Sequence, residues 1–258
     1  MLSKRRSLGQ HFLSSTEVGE KLVDSAGIGK DDVVLEIGTG KGFVTNLIMK
    51  RTLREVYSFE IDPKLASLVK DRFGSHPKLK IIRGDFLEQS NEIPSFDVCI
   101  ASLPYSRSLD FIQWLSLRSG NFRAASIIIQ KEFVSKLISY PGSKFYRSVS
   151  VISQLSFDLE RVVAVDRTAF SPPPKVLSEI VRIRPNARFV QPLFNKERIK
   201  ALKIMFSFRG KLARTAVRHF SKLSRSEIPQ ETLNQRLENL TPQEFFELIT
   251  MIEHERAK

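Results

Sequence analysis

The stretch Leu35-Glu36-Ile37-Gly38-Thr39-Gly40-Lys41-Gly42 runs an apolar strand pattern into three alternating glycines. Glycines in such a turn let the backbone approach a ligand that any side chain would obstruct. A second stretch, Ser102-Leu103-Pro104-Tyr105, closes another apolar run with a proline and an aromatic ring. There the proline aims the Leu103 carbonyl outward as an acceptor, Ser102 offers a second acceptor, and Tyr105 offers a face for a planar ring. Either stretch alone is an ordinary turn. As a pair they suit chemistry on an amine carried by a flat ring, beside a ligand lying on bare backbone.

The glycine spacing bears on which ligand that is. A dinucleotide fingerprint wants glycine directly after Gly42, and Phe43 stands there instead. Losing that glycine while keeping Glu36, Gly38, Gly40 and Gly42 favours S-adenosylmethionine over a nicotinamide cofactor. Glu60, roughly twenty residues past Gly40 at the end of a second strand pattern, is placed to accept both ribose hydroxyls. Asp85, in Gly84-Asp85-Phe86 after a third strand, can accept from an adenine amine while Phe86 packs on the ring. An exocyclic adenine nitrogen is a poor nucleophile, because its lone pair is delocalised into the ring. Methylating it needs acceptors for the amine hydrogens, a stacking face and an in-line approach to a sulfonium methyl, with no metal. Positioning of this kind is worth about 7–11 kcal/mol in favourable cases, and an aromatic near a sulfonium adds cation–π attraction.

The elements that must hold these residues alternate between strand and helix, as in a doubly wound α/β sheet. Strands are expected at 33–37, 55–60, 79–83, 96–101 and 125–130, and the stretches 159–165 and 176–184 read as an antiparallel pair. Helices are expected from Phe43 to Lys50, from Asp62-Pro63 to Gly74, and from Lys131 towards Ser139. After Pro185 the strand patterns stop, and the chain is helical in period with Pro192, Pro229 and Pro242 at helix starts. The expected division is a Rossmann-like domain over residues 1–187 and a helical domain over 188–258.

Charge points to a partner. Lys and Arg number 41 against 28 Asp and Glu, a net +13, and such an excess suits polyanions. Between Lys196 and Arg225 ten basic residues face one acid, Glu197, so the excess is clustered; Lys203, Arg209, Lys211, Arg214 and Arg218 are the candidate nucleic-acid contacts. A single cysteine, Cys99, excludes internal disulfides and multi-cysteine metal sites, and sits in an apolar run as core filler. No run reaches the length of a membrane span, and Met1 to Arg6 lacks the apolar segment of a secretory signal. A reducing, cytoplasmic setting is expected.

Taken together these stretches resemble the ribosomal RNA adenine dimethyltransferase family, of the small-subunit (kasugamycin-resistance) type. The matching segments are Leu8-Gly9-Gln10-His11-Phe12-Leu13, the glycine turn, Glu60, Gly84-Asp85, Ser102 to Tyr105, Gln130-Lys131-Glu132-Phe133, Pro141-Gly142-Ser143, Phe170-Ser171-Pro172-Pro173-Pro174-Lys175-Val176 and the basic run Arg209 to Arg214. The resemblance implies a Rossmann-like methyltransferase that uses S-adenosylmethionine to dimethylate two adjacent adenosines in a hairpin loop near the 3′ end of small-subunit RNA. It further implies cofactor contacts from His11, Leu13, Gly38, Gly40, Glu60, Asp85 and Ser102, and places Phe170 on the face of the target base opposite Tyr105. An unpaired loop base is cheap to extrude into such a site. The implied enzyme works as a monomer on small-subunit RNA or the assembling subunit. Two positions depart from the family: Ser102 stands where asparagine is usual, and Gly210 interrupts a basic helical pattern. An assembly factor of the same fold that binds RNA and methylates weakly or not at all, and a large-subunit methyltransferase of the antibiotic-resistance type, remain as alternatives.

Overall fold

The computed structural model describes residues 11–89, 93–188, 192–220 and 228–256; Leu8-Gly9-Gln10, Lys222 and Arg225 lie outside them. Strand β1 (Phe12–Leu13) leads to α1 (Thr16–Ala26), β2 (Val33–Ile37), α2 (Phe43–Ile48), β3 (Glu55–Glu60), α3 (Pro63–Phe73) and β4 (Leu79–Arg83). Next come β5 (Val98–Ser102), α4 (Ser108–Ser116), β6 (Ala124–Gln130), α5 (Lys131–Leu137), α6 (Ser148–Ser156) and β7 (Phe157–Val165). The rest comprises β8 (Phe170–Ser171), β9 (Ser178–Pro185), α7 (Lys196–Ser207), α8 (Ala213–Phe220), α9 (Gln230–Asn234) and α10 (Pro242–Arg256).

Seven strands form one mixed sheet in the order β4-β3-β2-β5-β6-β9-β7. The first five run parallel, and β9 and β7 add antiparallel at one edge. Helices cover both faces, so β2 is buried at every position and reads as Val-Val-Leu-Glu-Ile with only Glu36 polar. The order reverses between β2 and β5, which opens the crevice at their carboxyl ends where ligands of such sheets bind. The fold is the expected α/β methyltransferase sheet. The strand expected at 96–101 is β5, which starts at Val98 rather than Phe96, and the helix after β6 ends at Leu137.

Local signals explain the helix ends next to the crevice. Asp62 caps α3 by accepting from the Lys64 amide at 2.8 Å, with Pro63 at the first helical position; a cap of this kind is worth about 1 kcal/mol. Gly27 closes α1 in a left-handed conformation.

The C-terminal helices share one apolar cluster with α6 and its approach: Tyr146, Ile152 and Leu155 pack with Leu202, Met205, Val217 and Phe245. Tyr146 is fully buried and donates to the Leu240 carbonyl at 2.9 Å. Pro229 and Pro242 do stand at helix starts, but Pro192 does not; Asn195 caps α7 by accepting from the Arg198 amide at 2.8 Å. Gly210 is not inside a helix. It sits in the turn between α7 and α8 with open space around its α-carbon, so it weakens no helical element.

Candidate active site

The turn after β2 is held from below and from one side. Beneath it Glu36 is fully buried and accepts from Thr45 Oγ1 at 2.8 Å and Ser58 Oγ at 2.5 Å, while Thr39 Oγ1 bonds Ser58 in turn. Burial pushes the Glu36 carboxyl up to about 7. At the side, Glu60 Oε2 accepts from the Gly40 amide at 2.7 Å and Oε1 from the Asp62 amide at 2.9 Å. Each oxygen keeps a further lone pair for a hydroxyl donor. Burial also raises the Glu60 pKa, against those backbone donors that lower it.

Gly38 and Gly40 have positive φ, 86° and 56°. A Cβ on Gly38 would come 2.6 Å from the Ser102 carbonyl oxygen, so the glycine turn and the Ser-Leu-Pro-Tyr turn are packed backbone to backbone. They border a cavity of about 480 Å³, within the range of small-molecule sites. Gly38, Gly40, Glu60, Asp85, Phe86, Ser102, Leu103, Pro104, Tyr105, His11, Leu13 and Phe170 all line it. Every residue nominated by sequence outside the basic helices therefore meets at one place.

Tyr105 is fixed by a hydrogen bond between its hydroxyl and Ser178 Oγ at 2.5 Å, and burial raises its pKa. Its ring cannot swing without breaking that bond. The N-terminal strand reaches the cavity by pairing antiparallel with β8, Leu13 opposite Phe170 and Phe12 opposite Ser171. His11 bonds the Pro172 carbonyl through Nδ1 at 2.8 Å, and its ring lies 6.1 Å from that of Tyr105 at 25°.

Some nominated residues have neighbours that the sequence did not foresee. His11 lies beside Tyr105, and the ring against the glycine turn is that of Phe12, 3.1 Å from where a Cβ on Gly40 would stand. Phe86 is only 5% exposed, with its ring set edge-on to Trp114 and Phe111, so the core claims most of its face. Arg209 is half-buried, paired with Glu238 and donating to the Ser143 carbonyl at 2.8 Å. It ties two loops together instead of presenting a free cation. Lys203, Lys211, Arg214 and Arg218 are exposed.

Sequence reasoning missed Thr39, Phe12 and Arg107. Thr39 and Phe12 stand inside quoted motifs and could have been singled out. Arg107 lies two residues beyond Tyr105, lines the cavity, and donates to Asp85 Oδ2 at 2.7 Å. Glycines free to take positive φ, an acceptor beside them and a cavity of this size fit a nucleoside-bearing sulfonium cofactor. Among the described residues no helix is long and apolar enough to cross a membrane.

A family model described as ribosomal RNA adenine dimethylase matches residues 1–254. A Methanopyrus kandleri protein named probable ribosomal RNA small subunit methyltransferase A is 31% identical, over 96% of this chain and 92% of its own length. Among solved structures, a dimethyladenosine transferase from Plasmodium falciparum superposes with a TM-score of 0.78 at 26% identity, covering 95% of this chain and 98% of that one. The 23S rRNA methyltransferase ErmE superposes at 0.65 with 24% identity, over 94% of this chain and 99% of that one, a likeness of fold.

Proposed function

Since the chain belongs to the ribosomal RNA adenine dimethylase family, we propose that it methylates the exocyclic amine of adenosines in small-subunit ribosomal RNA. The reading extends to two adjacent adenosines, each dimethylated, in a hairpin loop near the 3′ end. It is carried by one observation: the Gly38 turn packs so closely on the Ser102-to-Tyr105 turn that a Cβ on Gly38 would stand 2.6 Å from the Ser102 carbonyl oxygen, and both turns open into the same cavity.

Bound S-adenosylmethionine supplies an electrophilic methyl on a sulfonium. Gly38 and Gly40 give it bare backbone, Glu60 accepts its ribose hydroxyls, Asp85 accepts its adenine amine, and His11, Leu13 and Ser102 complete the contact. On the other side the Leu103 carbonyl, presented by Pro104, and Ser102 Oγ accept the target amine's hydrogens. Tyr105 and Phe170 take the two faces of the base. No strong base is needed, because methylation itself acidifies the amine, whose surplus proton is then lost to water while these acceptors hold its hydrogens in place. Lys203, Lys211, Arg214 and Arg218 grip RNA phosphates, so residues 1–187 form the methyltransferase domain and 188–258 the basic RNA-binding domain. The reading is of a cytoplasmic monomer acting on RNA or on the assembling subunit.

The short Ser102 side chain favours a second reading, an assembly factor that docks on small-subunit RNA and methylates weakly or not at all. Mass spectrometry of small-subunit RNA incubated with the protein and labelled methyl donor separates the two. Dimethylated adenosine is expected; RNA that is bound yet carries no label would establish the second reading.

A further inference from the structure

One cation joins the two halves of the cavity. Arg107 ends the 3₁₀ turn Tyr105–Arg107 that follows the base-side loop, its amide donating to the Pro104 carbonyl at 2.9 Å. Its guanidinium crosses the carboxyl edge of the sheet to Asp85, which follows β4; in the sheet β3 and β2 lie between β4 and β5. The Asp85 carboxylate is 13% exposed and the Arg107 side chain 35%, so the pair is sheltered enough to be held. Asp85 Oδ1 is also occupied, by the Leu87 amide at 2.9 Å. Arg107 Nη1 lies 3.5 Å from Asp110 in the first turn of α4, so the cation is anchored from behind.

We infer that Arg107 is a positioning residue that couples cofactor occupancy to the target-base loop, an inference resting on the function proposed above. Its hydrogen bond to Oδ2 holds the Asp85 carboxylate turned so that the remaining lone pairs meet the cofactor's adenine amine. The same guanidinium pins the turn that carries Tyr105. An amine arriving at Asp85 shares an acceptor with Arg107, so occupancy of one half is felt in the other, and by linkage the effect is reciprocal. Charge-assisted bonds of this sort are the stronger ones.

The test uses the whole protein, S-adenosylhomocysteine as a non-reacting probe, and a hairpin RNA with two adjacent unpaired adenosines. Calorimetry gives each affinity alone and in the presence of the other. In the wild type S-adenosylhomocysteine should tighten RNA binding by about fivefold or more, the usual lower range of coupling. Arg107→Met should weaken S-adenosylhomocysteine about tenfold and bring the coupling factor close to one. Arg107→Lys should restore part of both. On an Asp85→Asn background Arg107→Met should change S-adenosylhomocysteine affinity little further. Arg107→Met with unaltered cofactor affinity and coupling would overturn the inference, as would weaker RNA binding with coupling intact, which marks a plain phosphate contact. If the wild type binds no S-adenosylhomocysteine at all, the function itself is wrong, and that result is distinct from the others.

Discussion

Glu36 shows how a residue can govern a site it does not touch. Its carboxyl is fully buried under the glycine turn, with Oε2 bonded to Thr45 and Ser58 and Oε1 without a partner among the described residues. Its pKa lies at about 7 in the fold against the usual 4.5. Between those values the folded protein holds the proton that the unfolded chain has lost, so stability falls as pH rises through that window and levels off above about 7. A shift of this size corresponds to about 3 kcal/mol. Glu36→Gln keeps the acceptor for both hydroxyls and removes the titration. Denaturant unfolding from pH 4.5 to 8 should show a falling stability in the wild type and a flatter line in the variant; parallel curves would assign the pH dependence elsewhere. Ser102 is the other residue whose identity bears on the proposed chemistry. If its short side chain limits turnover, Ser102→Asn should raise methyl incorporation at saturating RNA by about tenfold, the worth of one hydrogen bond to the amine. An unchanged rate would leave the Leu103 carbonyl as the acceptor that matters.

At the scale of elements, the abutment of two turns is what makes a site out of two motifs. Gly38→Ala places a methyl 2.6 Å from the Ser102 carbonyl at a φ of +86°, a strain of about 2–3 kcal/mol that backbone must absorb. S-adenosylhomocysteine affinity should drop at least about tenfold while the fold, read by circular dichroism, persists. Intact affinity would mean the ligand does not use this turn. The parallel strands β2, β5 and β6 were legible because burial on both faces turns them into largely apolar runs. The two-residue strands β1 and β8 have no period to read, and only their pairing reveals them. Helix α6 is misleading as sequence: Ser148-Val-Ser-Val-Ile-Ser alternates like a strand. It is helical because its serines face inward and find acceptors, Ser150 on the Lys136 carbonyl and Ser153 on that of Leu137, both in α5. The Asp85–Arg107 pair is likewise a product of tertiary structure. Nothing in the spacing of an aspartate and an arginine in separate loops says that they meet.

Over the whole molecule, the net charge of +13 is sorted by burial into two kinds of cation. Arg198 and Arg209 are spent inside, the first on Glu253 at 2.8 Å and the Leu193 carbonyl, the second on Glu238 and Ser143. Lys203, Lys211 and Arg214 face solvent. A sequence read as a basic run does not separate these kinds, because the difference lies in which acid or carbonyl the fold brings near. The two kinds should respond oppositely to substitution. Replacing Arg209 with alanine should cost about 1–2 kcal/mol of stability and lower the thermal midpoint, with little change in how RNA affinity depends on salt. Replacing Lys211 and Arg214 together should leave the midpoint in place and reduce the slope of log affinity against log salt by about 1.4, two phosphates at roughly 0.7 each for single-stranded RNA. Binding titrations of the hairpin RNA across a salt series, beside melting curves of the same preparations, read both quantities at once. An Arg209→Ala protein with normal melting and a shallower slope would make Arg209 a phosphate contact after all, and a Lys211→Ala/Arg214→Ala protein with an unaltered slope would move the RNA track off the start of α8 and back towards the cavity mouth.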